Sequence, residues 1–416
     1  MNSYKNYIPD GTKDILFNEC SSKKNIQHLI RNTFIERGYK EVISPTLEYY
    51  DVFDFKNQPI PQEKMYKFFD NKGRILVLRP DMTMPIARIC SSKISNFPIK
   101  LCYSENVFRM NESLHGKMNE ITQSGVEIIG ASDVKADAEL IITAIESLIN
   151  VGINNFKIEI GNINFYKSII EDIGMDEIET EKLRKLVENK NFASVRNFIN
   201  ERKNIIDENS IEILKKLPEL FGNISTINEA EKLINDKNAL CALNNIREVY
   251  SLIDNMGYSE FISIDLGMIQ HINYYTGFIF RGYVNELGEE ILSGGRYDNS
   301  LEEFGNGNYA TGFALNIDNI LKTLKNKNEP QEELKPQYII YYQTNLIKKA
   351  YEIYNKLKKK IRVEMALINN ENDAIKYCYD NNIDKLISLT TKHKIIFDIP
   401  NNTNKAFNWS EFNEKY

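Results

Sequence analysis

Between Asn162 and about Gly257 the chain is rich in Lys, Glu, Asn and Leu at helical spacing and carries few strand signals, whereas the segments on either side of this block read as strands. A helical block of that length restricts the chain to folds in which one sheet is completed by strands far apart in sequence. The expected class is α+β, an antiparallel sheet with flanking helices and a helical insertion at about 162–257. At 416 residues the chain exceeds one compact core and should divide into two or three domains.

Before the insertion, Ile26, Leu29, Ile30 and Phe34 mark one face of a helix over 21–37, and residues 75–79 form a short apolar strand. Asp81, Met82 and Thr83 then open a helical segment. Leu101–Arg109 and Ile121–Ile129 read as paired strands, and Ser132 and Asp133 can cap a helix whose Ala136, Leu140, Ala144, Ile145 and Leu148 are spaced for burial. After the insertion, strands are expected at 261–266, 277–283 and 290–292, and a helix at about 312–325. The core is thus expected over 1–325. A polar, proline-bounded stretch at 326–336 reads as a linker, and 337–416 as a small C-terminal α/β domain. In that domain the apolar residues of a helix at 345–359, Tyr351 among them, are expected to pack on strands, and its lysines to form a solvated face.

Bulk properties exclude several functions. The net charge of −6 and the absence of a basic, aromatic-interleaved segment argue against nucleic acid as the main partner. No apolar run approaches the roughly 18 residues of a membrane span, and the first residues lack an apolar signal core, so a cytoplasmic location with no membrane partner is expected. The five cysteines are scattered and odd in number, read as small buried thiols. None of the four histidines has a Cys or Glu at ligand spacing; neither a metal nor a cofactor is expected.

Chemistry concentrates in three places. Gln123, Gly125 and Glu127 stand at i, i+2 and i+4 of a predicted strand and face one way. A Gln and a Glu on one strand face are ordinarily its solvated side, but the glycine between them leaves room for something to lie across the strand. Asp81 and Thr83 lie at a strand-to-helix turn. Tyr274-Tyr275 is followed by Thr276-Gly277, and Gly294-Gly295, ordinarily a turn, by Arg296. Carboxylates, an amide and tyrosines together suit a small zwitterion with an ammonium and a polar ring.

The ordered combination resembles a known family. Ile8-Pro9-Asp10-Gly11-Thr12-Lys13-Asp14, the stretch from Gly38-Tyr39 through Pro45 to Glu48, Leu78-Arg79-Pro80-Asp81-Met82-Thr83, Phe108-Arg109 and Gln123 to Gly130 are similar to segments of histidyl-tRNA synthetases and their paralogues. The same holds for Gln270 to Tyr275, Ser293 to Asp298 and Gly312 to Asn319; the likeness spans about 8–130 and 262–325. It implies a class II aminoacyl-tRNA synthetase-like sheet that dimerises through the 38–48 segment. It also implies a histidine site made by Asp81, Thr83, Gln123, Glu127, Tyr274 and Tyr275, and an ATP site that would include Arg109 and Arg296.

Two departures bear on activity. Where the synthetases carry arginines toward the phosphates, this chain has Gln270 and Asn319, and Asn111 and Glu112 alter the charge pattern after Arg109. Adenylate formation relies on cationic stabilisation of phosphate charge, and losing one donor costs on the order of 10²–10³ in rate. The ATP site, comprising Arg109, Gln270, Arg296 and Asn319, is therefore read as vestigial, with no catalytic residue assigned. This pattern is similar to that of the regulatory subunits of ATP phosphoribosyltransferase, in the first step of histidine biosynthesis. That resemblance implies a non-catalytic chain that is required by a short catalytic subunit, forms a hetero-octamer with it and confers feedback inhibition by histidine. The alternative is a divergent histidyl-tRNA synthetase.

Overall fold

The structure, a computed structural model, describes residues 4–55, 60–111, 117–171, 173–202, 206, 208–269, 274–285, 287–305, 308–326 and 335–407. Gln270, Glu112 and most of the 326–336 stretch lie outside these residues. The chain divides into two compact units, Met1–Pro330 and Gln331–Tyr416.

In chain order the first unit contains α1 (Phe17–Glu36), β1 (Lys40–Glu41), β2 (Leu47–Tyr49), β3 (Lys67–Phe69), β4 (Ile75–Leu78), α2 (Thr83–Lys93), β5 (Ile99–Phe108), β6 (Glu120–Ile129), α3 (Val134–Asn150) and β7 (Phe156–Asn162). The helical block follows as α4 (Ile163–Glu171), α5 (Glu177–Glu188), α6 (Phe192–Asn200), α7 (Glu208–Lys216), a two-residue strand β8 (Phe221–Gly222), α8 (Ser225–Glu231) and α9 (Lys237–Asn255). Then come β9 (Ile262–Asp265), β10 (Phe278–Val284), β11 (Glu290–Arg296), α10 (Asn299–Glu302), β12 (Ala310–Asn316) and α11 (Ile317–Asn326).

One nine-stranded sheet, ordered β1-β5-β6-β12-β11-β10-β7-β9-β8, organises the unit, and β2-β4-β3 form a small second sheet. From β5 to β7 every pairing is antiparallel. Strand alternation splits the large sheet into two faces. On one face Cys102, Val126, Ile128, Phe313 and Leu315 pack with Ile30 and Phe34 of α1, Leu140 and Ile145 of α3 and Ile320 of α11. The helical block shares this core through Leu183, Val195, Phe198, Leu214 and Leu243, so it is not a separate folding body. On the other face Leu101, Tyr103 and Ile129 meet Met82, Met84 and Ile86 from α2 and the turn before it. The Asp133 side chain accepts a hydrogen bond from Lys135 N at 2.8 Å and caps α3.

Two local expectations need correction. The stretch read as a helix from 312 is strand β12 as far as Asn316, and the helix begins only at Ile317. A short apolar run fits either period, and here pairing on both sides, with β6 and β11, decides the outcome. Gly294-Gly295 is not a turn but lies inside β11.

The second unit is a five-stranded sheet, β14-β13-β15-β16-β17, built from β13 (Tyr338–Tyr342), β14 (Val363–Met365), β15 (Lys385–Leu389), β16 (Lys394–Asp398) and β17 (Thr403–Ala406). Helix α12 (Ile347–Leu357) packs Ala350, Ile353 and Leu357 on one face, and α13 (Glu371–Asp380) packs Ala374 and Cys378 on the other. Lys348, Lys349, Lys356, Lys358 and Lys359 are exposed. Tyr351, expected to pack on the strands, is instead 53% exposed and stacks on Tyr354.

One buried charge fixes the entry to α2. Arg79 donates to Ser44 O at 2.7 Å and Asn106 O at 2.9 Å and pairs with Glu105 at 2.6 Å, holding the end of β4 against β5. Truncation would leave a carboxylate and two carbonyls without their partner. Arg79→Ala should therefore lower stability by about 3–5 kcal/mol, seen as a fall in the denaturant midpoint with an unchanged slope.

Candidate functional site

On the α2 face of the sheet, pairing sets side chains in rows. One row runs Leu101, Glu127, Gly312, Gly295 and Ile279, and the next runs Tyr103, Gly125, Ala314, Ser293 and Arg281. Small residues in the middle of both rows leave a depression. It forms a cavity of about 330 Å³ lined by Asp81, Thr83, Gln123, Glu127, Tyr274 and Tyr275, with Arg109, Arg281 and Glu290 also at its wall. Two glycines are sterically required. A Cβ on Gly312 would lie 1.6 Å from Glu127 Oε2, because the carboxylate rests on that backbone; one on Gly125 would lie 2.4 Å from the Tyr103 hydroxyl. The room left by Gly125 is thus filled by a side chain of the same protein.

Glu127 is the centre of the site. Its exposure is 1%, Thr83 Oγ1 donates to its Oε1 at 3.2 Å, and the Tyr297 hydroxyl donates to Oε2 in a short hydrogen bond. Asp81 sits where β4 gives way to α2. Its Oδ1 accepts from Met84 N at 3.0 Å, and burial raises its pKa despite that bond and the nearby Arg109 charge. Arg109 Nε donates to Pro80 O at 2.7 Å, which places the guanidinium beside Asp81; burial lowers its pKa. Tyr274 stacks on Tyr297 with centroids 5.7 Å apart, and meets Tyr275 edge-on at 5.0 Å. The cavity therefore offers two buried carboxyl groups, an amide and aromatic walls, a set that suits a small ligand bearing an ammonium and a polar ring.

Of the residues singled out in the sequence, the structure brings seven to this cavity: Asp81, Thr83, Arg109, Gln123, Glu127, Tyr274 and Tyr275. It does not bring Arg296 there. Arg296 and Tyr297 are successive residues, so they point to opposite sides. Tyr297 takes the cavity side, while Arg296 pairs with buried Asp137 of α3 at 3.0 Å. Asn319 also stands behind the wall, its Nδ2 donating to Glu290 O at 2.9 Å. Tyr103, Tyr297, Arg281 and Glu290 were not singled out as ligand residues. Strand parity counted from Ser293 could have found Tyr297, whereas Tyr103 and Arg281 are set by cross-strand register with β6 and β11. Among the described residues no group of three or more His, Cys, Asp or Glu side chains is arranged to hold a metal ion, and no helix is long and apolar enough to cross a membrane.

Comparison with known proteins gives a consistent picture. The family model for histidyl-tRNA synthetase matches residues 11–320. The chain is 50% identical over 95% of its length to an ATP phosphoribosyltransferase regulatory subunit of Clostridium acetobutylicum, covering 98% of that protein. It is 47% identical to the regulatory subunit of Clostridium novyi, over 97% of both chains. Among solved structures, an ATP phosphoribosyltransferase regulatory subunit/histidyl-tRNA synthetase from Bacillus halodurans matches with a TM-score of 0.83 at 30% identity, over 94% of this chain and 100% of the other.

The protonation of Glu127 gives the site a measurable signature. Burial is the largest influence on this carboxyl; it outweighs the hydrogen bonds from Tyr297 and Thr83 and pushes the pKa from the ordinary 4.5 up to about 8. Between those values the folded chain binds more protons than the unfolded one, so stability should fall as pH rises from about 4.5 to about 8. In Glu127→Gln this loss should disappear. Urea titrations at several pH values check it: wild type and variant should differ most steeply through that window, and parallel curves would refute the assignment.

Proposed function

The chain belongs to the family of ATP phosphoribosyltransferase regulatory subunits, which have the histidyl-tRNA synthetase fold, and from that premise we propose that its cavity is a sensor for free histidine. The observation that carries this reading is the convergence of Asp81, Gln123, Glu127, Tyr274 and Tyr275 on one cavity with a buried carboxyl at its centre. Asp81 suits an ammonium, Glu127 and Gln123 suit a polar ring, and the tyrosines supply apolar walls.

In this reading the chain itself catalyses nothing. It works in the cytoplasm with a short ATP phosphoribosyltransferase catalytic subunit, as a hetero-octamer, and lends it both activity and feedback inhibition. Histidine must then bind one state of the complex better than another, with a coupling of about 1–3 kcal/mol. Self-dimerisation is part of the proposal. By register Leu47, Tyr49 and Phe68 share one face of the β2-β4-β3 sheet, and they are 49%, 43% and 38% exposed, with Ile43 nearby in sequence at 79%. An exposed apolar face of this kind suits a second copy of the chain.

Co-expression with a short catalytic chain tests the function. The two should co-purify, the catalytic chain should be active only in the complex, and histidine should inhibit it. Glu127→Ala should keep the complex and its activity but weaken inhibition by histidine at least tenfold; a complex indifferent to histidine would defeat the reading. Arg109 is the observation that favours the alternative, a divergent histidyl-tRNA synthetase, because its guanidinium does reach the cavity. Histidine-dependent exchange of pyrophosphate into ATP separates the two. No exchange above background is expected, and a clear signal would favour the synthetase.

A further inference from the structure

The cation best placed to receive an anion in this cavity is one to which no role has been given. Arg281 lies on β10 in the same sheet row as Ser293, Ala314 and Gly125, so its side chain rises on the cavity side, and it lines the cavity wall. Its Nε is buried and, among the described residues, has no hydrogen-bond partner. Its closest ion pair, Nη2 to Glu159 Oε2 on the neighbouring strand β7, spans 3.7 Å, too long for a hydrogen bond. Arg109, by contrast, already donates through Nε to Pro80 O and faces the Asp81 carboxyl. A buried guanidinium donor left unpaired costs free energy unless something fills it.

We propose that Arg281 holds an oxyanion of the ligand in this cavity, either the amino acid's own carboxylate or a phosphate bound beside it. The inference rests on the histidine reading given above. The guanidinium fork matches either group bidentately. Three strand spacings, about 14 Å, separate the β6 backbone under Glu127 from the β10 backbone under Arg281. Both residues line the one cavity, with Arg281 toward its β7 side, which places the anion at the end of the ligand away from Glu127 or next to it.

Calorimetric titration of the full chain, as wild type, R281M and R281K, with histidine, with histidinol (the same ring and amine without the carboxylate) and with inorganic phosphate tests this. If the carboxylate is the anion, R281M weakens histidine about 10–100-fold while histidinol stays within about twofold, and R281K retains part of the affinity. If a separate phosphate is the anion, R281M loses phosphate binding and leaves both amines unchanged. Unaltered binding of all three ligands by R281M overturns the proposal, as does failure of wild type to bind any of them. Wild type that binds phosphate but neither amine defeats the histidine reading alone, and R281M then still decides the role of Arg281. Unfolding midpoints close to wild type show that the variants are folded.

Discussion

A carboxyl group buried at the centre of the sheet is the constraint around which the rest of the site is arranged. Glu127 lies flat on the backbone of Gly312, held from one side by Thr83 and from the other by Tyr297. Each contact dictates something larger. Gly312 must stay bare, so β12 can approach β6 closely; Thr83 must sit at the first turn of α2, which needs the Arg79 anchor before it; Tyr297 must follow β11 directly. Without solvent to disperse its charge, the group stays neutral up to about pH 8 unless a cation arrives. A cationic ligand is therefore met by a site that becomes charged in response to it.

The two faces of the sheet divide the labour. One is filled by α1, α3, α11 and the helical block, and it carries most of the apolar core. The other keeps a gap in the middle because Gly312, Ala314 and Ser293 are too small to fill it. Asn319 lies outside this gap. Asn319 now braces Glu290 from behind, so the residue serves the wall rather than the contents of the cavity.

Much of this was legible in the sequence because it depends on local period. The i, i+2, i+4 set of Gln123, Gly125 and Glu127 placed three residues on one face, and the pairing of β5 with β6 followed from two adjacent strand patterns. What was not legible depends on neighbours distant in sequence. The occupant over Gly125 is Tyr103, fixed by cross-strand register. Residues 310–316 form a strand because β6 and β11 lie on either side of them. Arg296 is a different case: its proximity to a glycine pair suggested a ligand contact, but parity with Tyr297 already assigned it to the other face, where Asp137 was waiting as a buried counter-charge.

β12 joins these themes in one strand. Gly312 and Ala314 floor the cavity, while Phe313 and Leu315, the residues between them, are embedded among α1, α3 and β10. Across β12 a ligand and the helical layer are therefore separated by a single thickness of backbone. The spacing of the two layers is thus set by one strand, and a larger side chain at Ala314 would fill the cavity without touching the helices behind it.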